Sequence, residues 1–433
     1  MDFRKEVNMT NKKIITPTVW KKNFYTLFFG QQISTFTSMI VQYAFIWYLT
    51  DKSKSPTILA FSMIMAFLPG IFLGPFVGPL IDRINKKILL ISSDWIVAFT
   101  ALILAVISKN GNISFWMISL SLFIRSLAGT IQNPTTQSII PTLVPEDFVP
   151  KVGGLNGAFN SASMLVTPAI GAFFYGIMPI GDIMLIDVLG AIAGTLTVLM
   201  TKIVNFSSVN SNEAYLTEFR QGFKLIRENK GIFQFLLIFS IVMMLSMPGF
   251  SLYPLITTQF FGGTIKEASY VEVTYALGSL IGGLLISFIG STKNRLTKGV
   301  IWFSLSGIFL AATAFLPPDK TGLFIFILMQ IPIGVGYMAA TGLFMSIIQQ
   351  AYPAEKIGRV MAISMSMISL ASPLGLSFAG PLAEKIGIPP LLMISGLSIL
   401  LGNVIYMKLK AVRNLDHMEI MTNSGAFDEK IED

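Results

Sequence analysis

Twelve long apolar runs constrain the fold of this chain more than any other feature. A helix that crosses about 30 Å of hydrocarbon needs roughly 20 predominantly apolar residues, and each run is close to that length. Hydrophobic residues make up 53% of the 433-residue chain and charged residues only 12%, whereas soluble domains contain about 25% charged residues. The sequence therefore predicts an all-α membrane protein with twelve transmembrane helices. The runs lie near residues 23–49, 56–81, 88–108, 113–134, 152–178, 180–201, 232–261, 268–290, 299–316, 321–349, 360–382 and 388–407.

The longest polar break between the runs, residues 202–231, divides the chain into two sets of six. Phe219, Phe223 and Ile226 recur in it at helical spacing against a basic face, which fits a helix on the inner membrane surface or a solvated linker. The polar, acidic C-terminus is typical of a disordered tail. We predict five parts: a cytoplasmic N-terminal segment (1–22), an N-terminal half (23–201), a cytoplasmic central loop (202–231), a C-terminal half (232–410) and a cytoplasmic tail (411–433).

A weak internal repeat suggests that the two halves arose by duplication. Three pairs of identical residues are separated by nearly the same distance along the chain, which is typical of transport proteins built from repeats. Helical hairpins of similar layout could also produce some of these matches by chance. The repeat predicts two pseudo-symmetric six-helix halves. The pairs are Gly78 and Gly282 (offset 204), Pro145 and Pro353 (offset 208), and Pro168 and Pro373 (offset 205).

The lysines and arginines are distributed unevenly and predict the orientation of the chain. If the N-terminus is cytoplasmic, 24 of them fall in inside segments and 6 in outside loops, as the positive-inside rule requires. The net charge of +8 then needs no nucleic-acid partner to explain it. Residues 1–22 lack the short apolar core of a secretory signal peptide, so we expect the first span to be retained and both termini to be cytoplasmic.

The sequence lacks the residues that several kinds of chemistry require. The chain has no cysteine, and its single histidine, His417, stands in the polar tail without neighbours that could share a metal ion. It also has no phosphate-binding glycine loop with its lysine, which argues against ATP as an energy source. We therefore expect neither enzymatic activity nor a metal site.

The segment Gly78–Leu90 lies in the short cytoplasmic loop between the second and third spans. Its glycine, Asp-Arg pair and basic pair resemble the signature that the major facilitator superfamily carries there. Asn85 replaces the usual second glycine, and we expect asparagine to support the same left-handed turn. The resemblance implies that the aspartate meets the positive N-terminus of the eleventh helix, near Gly358 and Arg359, and latches the two halves; a loop that is merely positive is the alternative. The latch residues would be Gly78, Asp82, Arg83, Lys86 and Lys87.

Two further motifs extend the resemblance. Arg125 lies in the middle of the fourth span, where an unpaired cation costs several kcal/mol, and with Gly129 it resembles a family signature associated with proton coupling. A structural pairing with Gln132, Asn133 or a carboxylate is the alternative for Arg125. Thr167–Ala172 resembles, in degenerate form, the exporter signature of the fifth helix, where Pro168 would bend the helix and Gly171 would allow close packing. An ordinary kinked helix is the alternative there.

Three carboxylic acids, Asp94, Asp187 and Glu272, fall within the apolar runs. Burial favours the protonated form of a carboxylic acid, so each could carry a coupled proton together with Arg125. Each acid also has a structural alternative. Asp94 could support the loop after the second span, Asp187 could form hydrogen bonds across helices, and Glu272 could be an interfacial residue at a helix start.

Polar, aromatic and methionine side chains of other spans could face a central cavity and bind an amphiphilic substrate. Methionine and aromatic side chains suit large apolar ligands because they can repack around different shapes, although ordinary packing is the alternative for each of them. The candidates are Gln32, Gln42, Tyr43, Asn133, Asn156, Asn160, Met243, Tyr253 and Tyr337.

The segments Phe123–Ser126, Leu143–Glu146 and Ile186–Ala191 look like the macrolide-efflux proteins of the superfamily. The resemblance implies a proton-coupled exporter of small amphiphilic drugs such as macrolides, which works by alternating access. It further implies that the protein functions as a monomer among the lipids of a bacterial cytoplasmic membrane. Transport would be driven by the proton gradient and would need no cofactor. A permease that imports a nutrient, or moves a lipid or siderophore, is the alternative, because the same fold serves both directions.

Overall fold

The computed structural model describes residues 17–111, 113–145, 148–203, 212–289 and 294–417, and these residues are almost entirely helical. Twelve long helices follow the twelve predicted runs in order, and a shorter helix, α7, occupies the central loop. No strand occurs among the described residues. The helices are α1 (Pro17–Ser53), α2 (Pro56–Arg83), α3 (Lys86–Lys109), α4 (Phe115–Leu143), α5 (Val149–Ile177), α6 (Ile180–Met200), α7 (Asn212–Glu228), α8 (Lys230–Ser251), α9 (Ile265–Ile289), α10 (Arg295–Ala312), α11 (Lys320–Gln350), α12 (Ala354–Ile386) and α13 (Ile388–Lys408).

Within the described ranges, eleven helices are long and apolar enough to cross a membrane. α1 has 37 residues and the required length, but it carries more polar side chains than the others. Gln31 and Gln32 of α1 are buried, because α1 packs against α4, α5 and α6 in the middle of its half. A helix shielded from lipid on several sides can hold polar residues, and the predicted all-α membrane fold of twelve long helices is confirmed.

The same helix pairings occur in both halves of the bundle. In the first half, α1 packs against α5 and α6, α2 against α4, and α3 against α4 and α6. In the second half, α8 packs against α12 and α13, α9 against α11, and α10 against α11 and α13. These five pairings of the first half each have a counterpart in the second, which is the pseudo-symmetry that the internal repeat predicts.

Two helix pairs join the halves to one another. α2 packs against α12, and α5 packs against α9. The chain also crosses between the halves beyond α8, where a turn at Tyr253–Leu255 is followed by a π-helical turn at Ile256–Phe260. This extension contacts α1. The central helices α1 and α8 thus meet near the end of α8.

α7 shows how the central loop is held. Ile226 is fully buried, and the hydroxyl of Tyr352 donates a hydrogen bond of 3.2 Å to the carbonyl oxygen of Leu225. Arg359 of α12 donates a hydrogen bond of 3.1 Å to the side chain of Gln221. α7 is therefore a helix packed on α12 and α8, and not a solvated linker. The side chain of Phe219 lies outside the described residues.

The first part of the C-terminal tail differs from the prediction. We expected disorder from Ala411 onward, but a helical turn at Lys410–Arg413 and a 3₁₀ turn at Asn414–His417 continue the chain, and Val412 and Leu415 are buried. The carboxylate of Asp416 accepts hydrogen bonds from the backbone N–H and the hydroxyl of Thr297, at 3.0 and 2.6 Å. Unpaired N–H groups at the start of α10 explain this docking. Residues 418–433 lie outside the described part of the chain.

Candidate functional site

A cavity of about 700 Å³ lies within the first half. α1, α4 and α5 supply its polar wall, and Gly70 and Gly74 of α2 complete it. Among the described residues that line it, Arg125 is the only charged one. Of the predicted cavity residues, five surround this first cavity: Gln32, Gln42, Asn133, Asn156 and Asn160.

The amide side chains around the first cavity are linked by hydrogen bonds. The amide nitrogen of Gln32 donates to the side-chain oxygen of Asn156 at 2.7 Å and so joins α1 to α5. Gln132 of α4 donates to the side-chain oxygen of Gln31 at 3.1 Å. Amides both donate and accept, so this wall can bind a ligand that carries hydroxyl and carbonyl oxygens.

Arg125 and Asp187 form a buried ion pair between α4 and α6. The Nη1 atom of Arg125 also donates hydrogen bonds to Asp187 Oδ1 at 3.3 Å and to the hydroxyl of Ser38 at 2.9 Å. The guanidinium carbon lies 5.1 Å from the centre of the Phe45 ring, close enough for a cation–π contact. Only 8% of Arg125 and 4% of Asp187 is exposed. The arrangement satisfies a cation that would otherwise be costly in a membrane, and it ties α1, α4 and α6 together beside the first cavity.

Asp94 of α3 belongs to a second polar cluster in the same half. Its Oδ1 atom accepts hydrogen bonds from the hydroxyl of Ser34 at 2.6 Å and from the amide of Gln132 at 2.8 Å. Gly194 of α6 leaves room for this carboxyl group, since a Cβ there would lie 2.5 Å from Asp94 Oδ2. Asp94 and the Arg125–Asp187 pair therefore occupy separate sites, each of which contacts α1.

A second cavity of about 180 Å³ lies in the other half and contains Glu272. Glu272 is in the second turn of α9, whereas the helix start is capped by Glu267, which accepts hydrogen bonds from the backbone N–H and hydroxyl of Thr264 at 2.7 and 3.0 Å. Glu272 therefore lines a cavity and does not cap the start of the helix. Three predicted substrate residues line this cavity: Met243, Tyr253 and Tyr337.

Tyr43, the remaining candidate, packs at the junction of α1 and α5. A Cβ on Gly171 would lie 2.8 Å from the Cβ of Tyr43, so the glycine permits a close approach of these two helices. Three residues earlier, the carbonyl oxygen of Pro168 accepts a hydrogen bond of 3.4 Å from the indole nitrogen of Trp47. The Trp47 ring lies 6.1 Å from the ring of Tyr253 in the other half. The fifth-helix motif thus supports α1 where the two halves touch.

The loop after α2 is described only in part. The side chains of Asp82 and Arg83 lie outside the described residues, so the expected latch remains a prediction. Lys86 donates a hydrogen bond of 3.4 Å to the carbonyl oxygen of Ser138 in α4. Asn85 does not adopt the expected left-handed turn: its φ is −58°, and its side chain caps α3 by accepting a 2.9 Å hydrogen bond from the backbone N–H of Lys87. A capping side chain replaces the turn because it satisfies a free N–H.

Residues at the opposite end of the bundle connect the halves and were missed by sequence reasoning. Glu384 of α12 accepts hydrogen bonds from the hydroxyl of Ser55 at 2.9 Å and from the backbone N–H of Thr57 at 3.4 Å. Gln259, in the extension of α8, donates a hydrogen bond to the carbonyl oxygen of Lys54. Ser55 before Pro56 is a recognisable helix-capping signal, but nothing local in the sequence indicates its partner 329 residues away.

Comparisons with known proteins agree with this architecture. Residues 27–376 match the family model described as Major Facilitator Superfamily. Macrolide efflux protein A of Streptococcus pyogenes is 33% identical over 401 residues, which cover 92% of this chain and 98% of that protein. A protein of the same name from Enterococcus faecalis is 33% identical over 326 residues, which cover 74% of this chain and 99% of that protein.

Solved structures of transporters share the fold at low sequence identity. A bacterial homologue of the iron transporter ferroportin in an inward-facing state has a TM-score of 0.71 at 15% identity, covering 89% of this chain and 97% of its own. A D-xylose–proton symporter has a TM-score of 0.67 at 12% identity, covering 89% of this chain and 98% of its own. At these identities the likeness concerns the fold alone.

Proposed function

Because the chain belongs to the Major Facilitator Superfamily, we propose that it exports small amphiphilic compounds such as macrolides by exchange for protons. The observation that carries the proposal is the first cavity, about 700 Å³ in volume, with the buried Arg125–Asp187 pair at its wall. The identity of 33% with a macrolide efflux protein over most of the chain favours the same class of substrate. Energy would come from the proton gradient, without a cofactor.

The size and lining of the first cavity fit a macrolide. Pockets for drug-sized ligands usually measure about 300–1,000 Å³, and the cavity falls within that range. Macrolides carry many hydroxyl, ether and carbonyl oxygens on a largely apolar ring. The amides of Gln42, Asn133 and Asn160 can donate hydrogen bonds to such oxygens without a charged partner.

The contacts between halves suggest a direction of opening. Glu384 and Gln259 join the halves at the end of the bundle where Ser55 lies, whereas the lining of the first cavity extends to Gln137 and Ile140 toward the other end of α4. We propose that both termini face the cytoplasm of a bacterial cell, that the chain divides into halves at residues 23–201 and 232–410, and that this conformation opens inward. Alternating access would exchange these contacts for the latch at Asp82 and Arg83.

The coupled proton would act on the Arg125–Asp187 pair. A proton arriving at Asp187 removes the negative charge that holds the Arg125 guanidinium, and it leaves Arg125 with Ser38 and the cavity as partners. α4 and α6 would then lose their ionic connection and could shift relative to α1. Asp94 and Glu272 are further candidates for proton binding. One chain contains the complete cavity, so we expect a monomer to suffice.

Everted membrane vesicles test this function directly. We expect a labelled macrolide to accumulate when a pH gradient is imposed, and accumulation to disappear with a protonophore, in Arg125→Ala and in Asp187→Asn. Asp182→Asn is the matched control, since Asp182 is an exposed acid in the first turn of the same helix, and it should accumulate the macrolide normally. Absence of accumulation by folded wild-type protein would refute macrolide export, and uptake in the opposite direction would favour the importing permease.

A further inference from the structure

Glu272 is an acidic residue within the membrane-spanning region that has no basic partner in the described part of the chain. None of the ion pairs between described residues includes it, and the described residues that line the second cavity include no lysine, arginine or histidine. Of the other two acids of the predicted spans, Asp187 is paired with Arg125, whereas Asp94 accepts two side-chain hydrogen bonds at Oδ1 and is not among the described residues that line either cavity. A carboxylate at membrane depth is costly unless it is neutralised or meets a cation.

The second cavity surrounds this carboxyl group with aromatic rings and thioethers. Phe250 is in contact with two of its tyrosines, with ring centres 6.0 Å from Tyr275 and 5.3 Å from Tyr337. Met243 and Met247 complete the same wall. Aromatic faces attract organic cations, and methionine adapts to irregular apolar groups. Such a lining suits an alkylammonium group more than a bare metal ion, which requires several oxygen ligands.

A buried hydroxyl group points to an additional polar contact in this cavity. Tyr253 is 8% exposed, and its hydroxyl is next to the Glu272 carboxyl group, with which it can share a hydrogen bond. By contrast, the hydroxyl of Tyr337 donates to the sulfur of Met243 at 3.6 Å. A carboxylate has two acceptor oxygens, so a contact with Tyr253 leaves Glu272 able to bind a ligand in the cavity that both residues line.

The second cavity is close to the first. The ring of Tyr253, which lines the second cavity, lies 6.1 Å from the ring of Trp47 in α1, and Tyr43 is one helical turn before Trp47. Gln42, the residue before Tyr43, lines the first cavity. A ligand whose oxygen-rich part occupies the first cavity could therefore extend a side group across the junction of the halves toward Glu272.

We propose that Glu272 and the aromatic wall of the second cavity bind the protonated amine of the substrate. The inference rests on the proposed export function and narrows its substrate class to amphiphiles that carry an alkylated amine on an oxygen-rich body. Glu272 supplies the opposite charge, Phe250 and the tyrosines supply the cation–π surface, and the first cavity binds the remainder of the molecule. Binding at both cavities would bring the two halves together around one substrate.

Equilibrium binding of trimethylphenylammonium to the purified full-length protein in detergent tests the cation site without depending on transport. We expect saturable binding to wild type and to Glu267→Gln, which removes a charge from the same helix at its start. Glu272→Gln should weaken binding at least tenfold, and Glu272→Asp should retain part of it. Failure of the wild type to bind, or equal affinity of wild type and Glu272→Gln, would overturn the proposal. If Glu272→Gln and Glu267→Gln have equal melting temperatures, misfolding does not explain weaker binding by Glu272→Gln.

A pair of macrolides extends the test to the substrate. One carries a dimethylamino sugar, and the other carries an acetamide at the same position and so lacks the positive charge. Wild type should bind the amine macrolide at least tenfold more tightly than the acetamide macrolide. Glu272→Gln should bind the two macrolides equally, with the affinity that wild type has for the acetamide macrolide. A preference for the amine that survives in Glu272→Gln would contradict the proposal. If the ammonium probe binds through Glu272 but vesicles transport no macrolide, the cation site stands and the macrolide function fails.

Discussion

The carboxylate of Glu384 accepts a 2.9 Å hydrogen bond from the hydroxyl of Ser55, and this contact joins α12 to the start of α2. Ser55 itself caps α2, since its side-chain oxygen accepts a hydrogen bond from the backbone N–H of Ile58. A carboxylate at a helix N-terminus is stabilised by the helix dipole. Glu384 in one half therefore binds the positive end of a helix in the other, and it holds the two halves together at this end of the bundle.

We predict that Glu384→Ala shifts the protein toward a conformation in which this end is open. The variant loses the hydrogen bonds to Ser55 and Thr57. Helix-capping contacts of this kind are worth about 1–2 kcal/mol. A change of that size alters the ratio of the closed to the open conformation about fivefold to thirtyfold. The chain has no cysteine, so spin labels attached to cysteines introduced at Lys52 and Lys385 would report the distance between α1 and α12. The longer distance should gain population in Glu384→Ala.

Glu267→Gln provides the control for this experiment, because Glu267 bonds to Thr264 within its own half. It should leave the distance distribution unchanged. An unchanged distribution in Glu384→Ala would show that the contact does not determine the equilibrium between conformations.

We predict that Arg125→Ala destabilises the protein more than removal of both charges does. Loss of Arg125 alone leaves Asp187 buried and unpaired. Removing one partner of a buried ion pair usually lowers the free energy of unfolding by about 3–5 kcal/mol. The double variant Arg125→Met with Asp187→Leu should be closer to wild type in thermal unfolding followed by tryptophan fluorescence in detergent. Both variants should fail to transport, which separates the stabilising role of the pair from its role in coupling. Transport by the double variant would show that the pair is structural only.

The sequence predicts the fold well because each membrane helix is encoded by its own local run of apolar residues. α1 shows the limit of that signal, since its buried glutamines make it less apolar than the other spans. Contacts between distant residues were not predictable in the same way. The position of Arg125 in a span indicated that it needed a partner, and three acids were available. Its partner is Asp187 because α4 and α6 both pack against α1 and α3, which brings the two side chains together.

Local sequence reasoning also failed where one residue type has two uses. Asparagine can adopt a left-handed turn or cap a helix, and at Asn85 the structure shows the cap. The acidic tail was predicted as disordered from its composition, which contains no information about the free N–H groups at the start of α10. Glu384 received no role because its partner Ser55 is at the far end of the sequence.

We predict that Gly171→Val disrupts the contact of α5 with α1, whereas Gly176→Val does not. A Cβ at Gly171 would lie 2.8 Å from Tyr43 and 3.1 Å from the carbonyl oxygen of Ile40, but nothing lies within 4 Å of a Cβ at Gly176. Overpacking of this kind usually costs about 1–3 kcal/mol. The two variants replace the same residue type in the same helix, so a comparison of their melting temperatures isolates the packing effect. Equal melting temperatures would mean that α5 can move away from α1 at no cost.

We predict that Asp416→Ala loosens the C-terminal segment from α10. The variant loses the hydrogen bonds to the backbone of Leu296 and to the backbone and hydroxyl of Thr297, and loss of a helix cap costs about 0.5–2 kcal/mol. Hydrogen exchange followed by mass spectrometry should show faster exchange at the first turn of α10 and around Val412, which is buried in wild type. Asp182→Ala removes an exposed acid from the first turn of α6 and should leave both regions unchanged. Faster exchange confined to the C-terminal segment, with α10 unaffected, would contradict a capping role for Asp416.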